Sequence, residues 1–197
     1  MPDVDGRFAG RTKCRLAQWF LSANRFEMIE IRTVDWSVPA HAQGVLEMVK
    51  AYALEATAGE GLSADAQARL IPALRQRADY VGVLAFAAQR PVGLINAFEG
   101  FSTFMARPLL NVHDVYVDGA VRGQSIAGRM LEHLQGLAIA RGCGKLTLEV
   151  LEHNHPAVSS YRRFGFQPYA LDPAQGRATF WEKRLPLGDL VAAQLPF

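Results

Sequence analysis

The sequence is poor in the features that mark disulfide-rich, metal-binding or membrane-spanning chains. Among 197 residues it has only two cysteines, Cys14 and Cys143, and neither shows metal-ligand spacing or belongs to a disulfide framework. No apolar run approaches the roughly 20 residues that cross a bilayer. No secretory h-region of roughly 7–15 apolar residues follows the basic N-terminal segment. We therefore expect no metal site, no membrane association and a reducing, cytoplasmic location.

A large excess of charge is also missing. The net charge is +2, and residues 1–27 hold five basic and three acidic residues, which leaves 16 of each sign in the remainder. A neutral main domain gives no electrostatic basis for binding nucleic acid. With 50% hydrophobic and 20% charged residues, the chain has the composition of one globular domain with a sizeable core.

Residues 1–27 are a candidate N-terminal extension or leader. Met28 begins what reads like a fresh start, because an alternating strand pattern follows it. Trp19, Phe20 and Phe26 are too apolar for a purely solvated tail. Two interpretations stay open: a leader outside the native protein, and a real extension that packs on the domain. We place the main domain at 28–187 and a C-terminal tail at 188–197.

Hydrophobic periodicity predicts alternating strands and helices. The strands are expected at 28–34, 80–88, 92–98, 109–117, 145–151, 166–170 and 178–184. The helices are expected at 39–58, 63–78, 125–141 and 156–164, and residues 100–108 are expected to form a loop over a cleft. One β-α-β unit among hairpin-connected strands predicts an α/β (α+β) fold.

One strand leads through a short turn directly into a helix. The strand ends in Val115, Tyr116 and Val117, and the turn runs from Arg122 to Gly128. A turn that opens a helix presents free backbone N–H groups and the positive end of the helix dipole, which favours a pyrophosphate. The turn has neither a Gly-Lys-Ser/Thr ending nor a Gly-x-Gly-x-x-Gly run, so it matches neither of these two phosphate-binding motifs.

Two motifs resemble those of the GCN5-related N-acetyltransferases (GNAT). Residues 122–127, Arg-Gly-Gln-Ser-Ile-Ala, resemble motif A, Arg/Gln-x-x-Gly-x-Gly/Ala, with Ser125 in place of the usual glycine. Residues 154–166 resemble motif B, Asn-x-x-Ala-x-x-x-Tyr-x-x-x-Gly-Phe. The resemblance covers about residues 28–185. It implies the GNAT fold, a mixed, mostly antiparallel central sheet flanked by helices.

The resemblance implies acetyl-coenzyme A as co-substrate. Its pantetheine arm would lie along the backbone of Val115, Tyr116 and Val117 like an added strand, and Arg122 would contribute a charge. Asn154 would hold the motif B loop or the pantetheine amides, although an ordinary helix cap explains it nearly as well. The Ser125 oxygen can cap the helix or donate a hydrogen bond to a phosphate, so we expect coenzyme binding that is weakened or unchanged but not lost. The pyrophosphate would meet backbone N–H groups of Gly123, Gln124, Ser125, Ile126, Ala127 and Gly128.

Two side chains are candidates for proton transfer. Tyr161 matches the motif B tyrosine that in many members protonates the leaving thiolate; the alternative is a core tyrosine. A general base must also accept a proton from the acceptor ammonium. His113 matches a position that is acidic in the polyamine acetyltransferase branch, and imidazole titrates near neutral pH; a purely structural histidine is the alternative. Strand alternation predicts that His113 and Asp114 face opposite sides.

The resemblance predicts an N-acetyltransferase that moves acetyl from acetyl-coenzyme A to a primary amine of a small molecule, by direct attack in a ternary complex. The alternatives are a protein N-terminal or lysine acetyltransferase and a non-catalytic, coenzyme A-binding regulatory module. Histidine at position 113 lacks the fixed negative charge that the polyamine branch has there. This difference favours a monoamine or amino-acid-like acceptor over a polycation. Whether the chain forms a homodimer stays open.

Overall fold

The computed structural model describes residues 28–169, 174 and 179–183. This part contains a five-stranded sheet in the order β1-β2-β3-β4-β5. Strands β1 to β4 pair antiparallel and β5 lies parallel to β4, which confirms the predicted mixed, mostly antiparallel sheet. The bounds are β1 Ile29–Thr33, β2 Tyr80–Ala87, β3 Arg90–Ser102, β4 Arg107–Val117 and β5 Leu146–Leu148.

The helices of the described part begin and end at local signals in the sequence. Their bounds are α1 Pro39–Ala56, α2 Ala64–Arg75, α3 Ile126–Ala140 and α4 His155–Phe164. Pro39 starts α1, where its missing N–H has no intrahelical partner in any case. The Ser63 side chain accepts a hydrogen bond from the Ala66 N–H at 3.1 Å and caps α2. Gly165, with φ of 106°, ends α4. No helix in these ranges could span a membrane.

Helices on both faces of the sheet create two hydrophobic clusters. Every residue of β2 is buried, because successive side chains point to opposite faces and each face is covered. Val83 and Ala85 join the cluster against α3, which includes Met130. Leu84 joins the other cluster, which includes Val45 of α1 and Leu74 of α2. Full burial of one such aliphatic side chain contributes about 1.5–3 kcal/mol, so the two clusters fix both helix layers on the sheet.

A β-bulge interrupts β4 at His113. Asp114 pairs with Asn96 of β3 and Val112 pairs with Ala97, which leaves His113 without an opposite residue. An extra residue shifts the alternation of side chains by one position. As a result Val112 and Val115 both pack on the α3 side, although they are three residues apart. The bulge therefore changes which side chains of β4 face α1 and α2.

Several predicted segments differ from the structure. The expected loop at 100–108 is wrong: β3 continues to Ser102 and β4 begins at Arg107, so a long hairpin with a short connection stands there. The strand expected at 145–151 is shorter, with β5 limited to Leu146–Leu148. Neither 166–169 nor 179–183 forms a strand; the rest of the two C-terminal strand predictions, the tail at 188–197 and the leader at 1–27 lie outside the described residues.

Candidate active site

The edge of β4 becomes free where the bulge begins. Strand β5 pairs with β4 only from Leu110 to Val112, and past that point no described strand continues the sheet on the β5 side of residues 115–117. The opening is a cleft of about 1300 Å³. Its walls come from the end of β4, the turn after it, α1, the start of α3 and α4. An unpaired strand edge offers a ligand backbone-like hydrogen bonds of the kind used in strand addition.

The turn after β4 ends at the N-terminus of α3. Asp118 caps a short 3-10 turn, Gly119–Val121, by accepting a hydrogen bond from the Ala120 N–H at 2.9 Å. Gly123 then adopts φ of 81° and Ser125 φ of 58°, and α3 begins at Ile126. The first N–H groups of α3 have no intrahelical acceptors. Ser125, Ile126, Ala127 and Gly128 line the cleft, so these N–H groups belong to its wall.

Ser125 departs from the expectation for a capping serine. It occupies the N-cap position of α3, but its side chain makes no capping hydrogen bond and its backbone is left-handed, with φ of 58° and ψ of 21°. A favoured serine cap has an extended backbone that aims the oxygen at a later N–H. Of the two roles that the sequence leaves open for the Ser125 hydroxyl, capping of α3 is therefore not the one seen here. The left-handed conformation also explains why glycine suits this position of the motif.

Arg122 is held on the wall of the cleft by three partners. Its Nε donates a hydrogen bond to the Val117 carbonyl at 2.8 Å, and its guanidinium lies 5.7 Å from the centre of the Tyr116 ring. Its Nη2 contacts both carboxylate oxygens of Glu55, at 2.9 and 2.6 Å. The hydrogen bond that Arg122 donates to the Glu55 carboxylate is the main cause of the raised pKa of Arg122. The turn and the last part of α1 are thus joined by an ion pair.

Helix α4 brings Tyr161 to the opposite wall. The Asn154 side chain accepts a hydrogen bond from the Ala157 N–H at 3.3 Å, so Asn154 acts as a helix cap, and it also lines the cleft. Tyr161 is partly buried against Phe166, with ring centres 5.8 Å apart. Burial, and secondarily the nearby Tyr52, raises the pKa of Tyr161. Its phenol therefore stays protonated at neutral pH, as a proton donor requires.

The α1 side of the cleft gathers polar and aromatic groups around the bulge. The His113 ring lies edge-on to Phe98 at 5.2 Å, and Phe98 packs on the α1–α2 cluster. Asp114 shares a strand face with Tyr116, which belongs to that same cluster. His113 and Asp114 therefore both lie on the α1–α2 side. The expectation of opposite faces is wrong, because His113 is itself the extra residue of the bulge and interrupts the alternation between Val112 and Asp114.

A buried chain of hydrogen bonds orients Asp114. The Tyr80 hydroxyl donates to Asn96 Oδ1 at 2.9 Å, and Asn96 Nδ2 donates to Asp114 Oδ2 at 2.8 Å. Burial is the main cause of the raised pKa of Tyr80, and Asp114 adds to it. Gly82 permits this arrangement, since a Cβ there would overlap the Tyr80 hydroxyl. The carboxylate is thereby fixed on the α1–α2 side of β4.

Sequence reasoning missed four residues of this site. Tyr52 and Glu55 lie on α1 and line the cleft with the predicted residues; their spacing of three places them on one helix face, a signal that the sequence does carry. The Tyr52 ring contacts that of Tyr116, with ring centres 5.9 Å apart and the ring planes tilted. Asn96 stands in an otherwise apolar strand segment, and such an isolated polar residue indicates a buried hydrogen bond. Nothing in the sequence singles out its partner Tyr80.

All thirteen predicted site residues lie at or beside the cleft. Tyr161, Asn154, His113 and most of the turn line it directly, whereas Gln124 is exposed in the turn next to it. The described residues contain no cluster of three or more His, Cys, Asp or Glu side chains that could hold a metal ion. Charged side chains of both signs line the cleft: Glu55, Arg122, Arg129, Glu132, Glu149 and Arg163.

Comparison with known proteins identifies the family. The sequence model of the acetyltransferase (GNAT) family matches residues 45–166, which include the turn, the open strand edge and Tyr161. The chain belongs to the GNAT family. Among solved structures, this GNAT domain is similar to an aminoglycoside N-acetyltransferase in complex with coenzyme A, with a TM-score of 0.64 and 16% identity over 82% of this chain and 99% of that one. At this identity the likeness shows the fold.

Curated relatives of this GNAT domain share parts of its sequence. Streptothricin acetyltransferase of Streptomyces lavendulae is 35% identical over 102 residues, which are 51% of this chain and 54% of that protein. Thialysine N-epsilon-acetyltransferase of Bos taurus is 33% identical over 67 residues, 34% of this chain and 39% of that protein. The matched segments thus span about half or less of these relatives.

Proposed function

We propose that this protein transfers acetyl from acetyl-coenzyme A to a primary amine of a small molecule, by direct attack in a ternary complex. The observation that carries the proposal is the free edge of β4, which ends at the N-terminus of α3 and has Tyr161 across from it in one cleft. The names of the relatives support a small acceptor, since streptothricin and thialysine acetyltransferases are among them.

The cleft fits the acyl donor at two points. The edge of β4 from Val115 to Val117 has no neighbouring described strand on the β5 side, which suits an arm that carries amide groups. The turn from Arg122 to Gly128 ends in unpaired helix N–H groups, which suit a pyrophosphate. Acetyl-coenzyme A would supply an activated acetyl thioester, and the two sites would hold it with its acyl end towards Tyr161 and the bulge.

Residues on the two walls would divide the proton transfers. As the acceptor nitrogen bonds to the acyl carbon and the C–S bond breaks, Tyr161 gives its proton to the departing sulfur. The acceptor ammonium must lose a proton before it attacks, and the bulge offers His113 and Asp114 on the acceptor side. Asp114 is oriented by Asn96, whereas His113 is exposed and contacts the Phe98 ring. The proton would pass to one of these two groups, directly or through water.

Direct assays test the proposal and its alternatives. Calorimetry should detect acetyl-coenzyme A binding, and release of free thiol should follow when a small primary amine is added. An alcohol with the same carbon skeleton is the matched control and should release none. Peptides with a free N-terminus or an internal lysine test a protein acetyltransferase. Binding without turnover on any amine would favour the non-catalytic module, and no binding at millimolar acetyl-coenzyme A would refute the acyltransferase proposal.

A further inference from the structure

Glu55 forms an ion pair with Arg122, the cation that the pyrophosphate of the acyl donor would need. Its carboxylate contacts Arg122 Nη2 through both oxygens, at 2.9 and 2.6 Å. Both side chains are about half exposed, at 48% for Arg122 and 55% for Glu55, and both line the cleft. A pyrophosphate seated on the turn would therefore approach an arginine whose charge is already neutralised by a neighbouring carboxylate.

The exposure of the pair makes it exchangeable. Ion pairs in contact with water contribute little, typically about 0–1 kcal/mol, so a doubly charged phosphate ligand can displace the carboxylate. The other two contacts of Arg122, with the Val117 carbonyl and the Tyr116 ring, do not involve Glu55. They would keep the guanidinium beside the turn after the carboxylate has moved away.

We propose that Glu55 is a competitor for Arg122 which weakens the binding of the coenzyme and speeds its release after acetyl transfer. This inference rests on the proposed function, because it assumes that the pyrophosphate binds at the turn. A residue that lowers affinity for both substrate and product coenzyme is useful when product release limits turnover. Such differences in affinity among variants of one site lie mostly in the dissociation rate.

A second contact between α1 and β4 lies close to Glu55. Tyr52, one turn earlier on α1, contacts the Tyr116 ring with ring centres 5.9 Å apart and lines the same cleft. Tyr116 is also the ring that faces the Arg122 guanidinium. Displacement of Glu55 from Arg122 thus breaks the ion pair between α1 and the turn and leaves the aromatic contact in place.

The test compares Glu55→Gln with the wild-type chain in coenzyme A binding. Isothermal titration calorimetry at low salt should give a dissociation constant about 3–10-fold lower for Glu55→Gln, because the Arg122 guanidinium no longer has to give up a carboxylate before it pairs with the pyrophosphate. Stopped-flow measurements should assign the change to slower dissociation. The gain should shrink at 0.5 M salt, where exposed charges are screened. Glu47→Gln is the matched control: it makes the same charge change on α1, outside the residues that line the cleft, and should not alter binding.

A double-mutant cycle separates competition for Arg122 from plain repulsion of the phosphates. In an Arg122→Gln background, Glu55→Gln should no longer tighten binding; an undiminished gain there would overturn the proposal. Equal or weaker binding by Glu55→Gln in the wild-type background would overturn it as well, and would leave the proposed function intact if the wild-type chain binds coenzyme A. Absence of binding by the wild-type chain would instead refute the proposed function itself. Thermal unfolding of each variant confirms that it is folded.

Discussion

Ser125 provides a sharp test of how the turn is built. Its φ of 58° lies in the left-handed region, which costs a residue with a side chain about 1–2 kcal/mol. Ser125→Gly removes this cost but adds about 0.5–1 kcal/mol through the greater freedom of glycine in the unfolded chain. We expect a net stabilisation of about 0.5–1 kcal/mol. For a domain of this size that corresponds to a rise in melting temperature of about 1–4 °C.

Companion substitutions separate backbone strain from capping. Because Ser125 Oγ makes no capping hydrogen bond, Ser125→Ala should change stability by less than about 0.5 kcal/mol, the usual range for a surface change without lost contacts. A serine that capped α3 would lose about 0.5–2 kcal/mol on the same change. Gly123, with φ of 81°, is the converse control, and Gly123→Ala should destabilise by about 1 kcal/mol or more.

Thermal and urea unfolding followed by circular dichroism would measure this series. The expected order of stability is Ser125→Gly above wild type, wild type close to Ser125→Ala, and Gly123→Ala lowest. A loss above 1 kcal/mol in Ser125→Ala, with no gain in Ser125→Gly, would refute the reasoning. It would mean that the serine oxygen stabilises the helix start and that the left-handed backbone carries little cost.

Three further predictions concern catalysis and domain limits. Tyr161→Phe should lower kcat by about 10²–10⁴-fold with coenzyme A affinity nearly unchanged, and unaltered turnover would assign this tyrosine to packing. Because burial raises the pKa of Tyr161, the wild-type enzyme should keep this proton donor throughout the neutral pH range. Asp114→Asn and His113→Ala should give different profiles of kcat/KM against pH. The base is the residue whose substitution removes the fall in kcat/KM at low pH. A fall that persists in both variants would point to a water chain. A chain that begins at Met28 should fold and keep its activity, and thermal unfolding and the thiol-release assay would show this. Insolubility of the shortened chain would instead indicate that residues 1–27 cover an apolar face.

Local signals predicted much of this fold. Proline at the start of α1, serine before α2 and glycine after α4 act through neighbouring backbone groups, so a sequence pattern is enough to place them. The order of strands around α3 follows from short connections, since the turn between β4 and α3 leaves the chain few ways to return to the sheet. The motif residues of the turn and of α4 came together in the structure for the same reason.

The features that the sequence could not predict depend on distant partners. The bulge at His113 exists only through the register of β4 against β3, so strand alternation alone assigned His113 and Asp114 to the wrong faces. Glu55 and Arg122 are 67 residues apart, and their pairing requires α1 to lie over the turn. The Ser125 backbone is set by the geometry of the turn, which overrides the usual preference of serine for an extended cap.

The gap in the sheet beside β4 would make the proposed coenzyme a structural element as well as a reactant. A ligand that lies along residues 115–117 would occupy the place of a missing strand, and its binding energy would add to the stability of the folded chain. At a concentration 100 times its dissociation constant, a ligand bound only to the folded state adds about 2.7 kcal/mol. The saturated protein should therefore melt higher and exchange its edge amide hydrogens more slowly, with the protection concentrated on one side of β4. The chain would then be most open to unfolding in the interval between the release of one coenzyme molecule and the capture of the next.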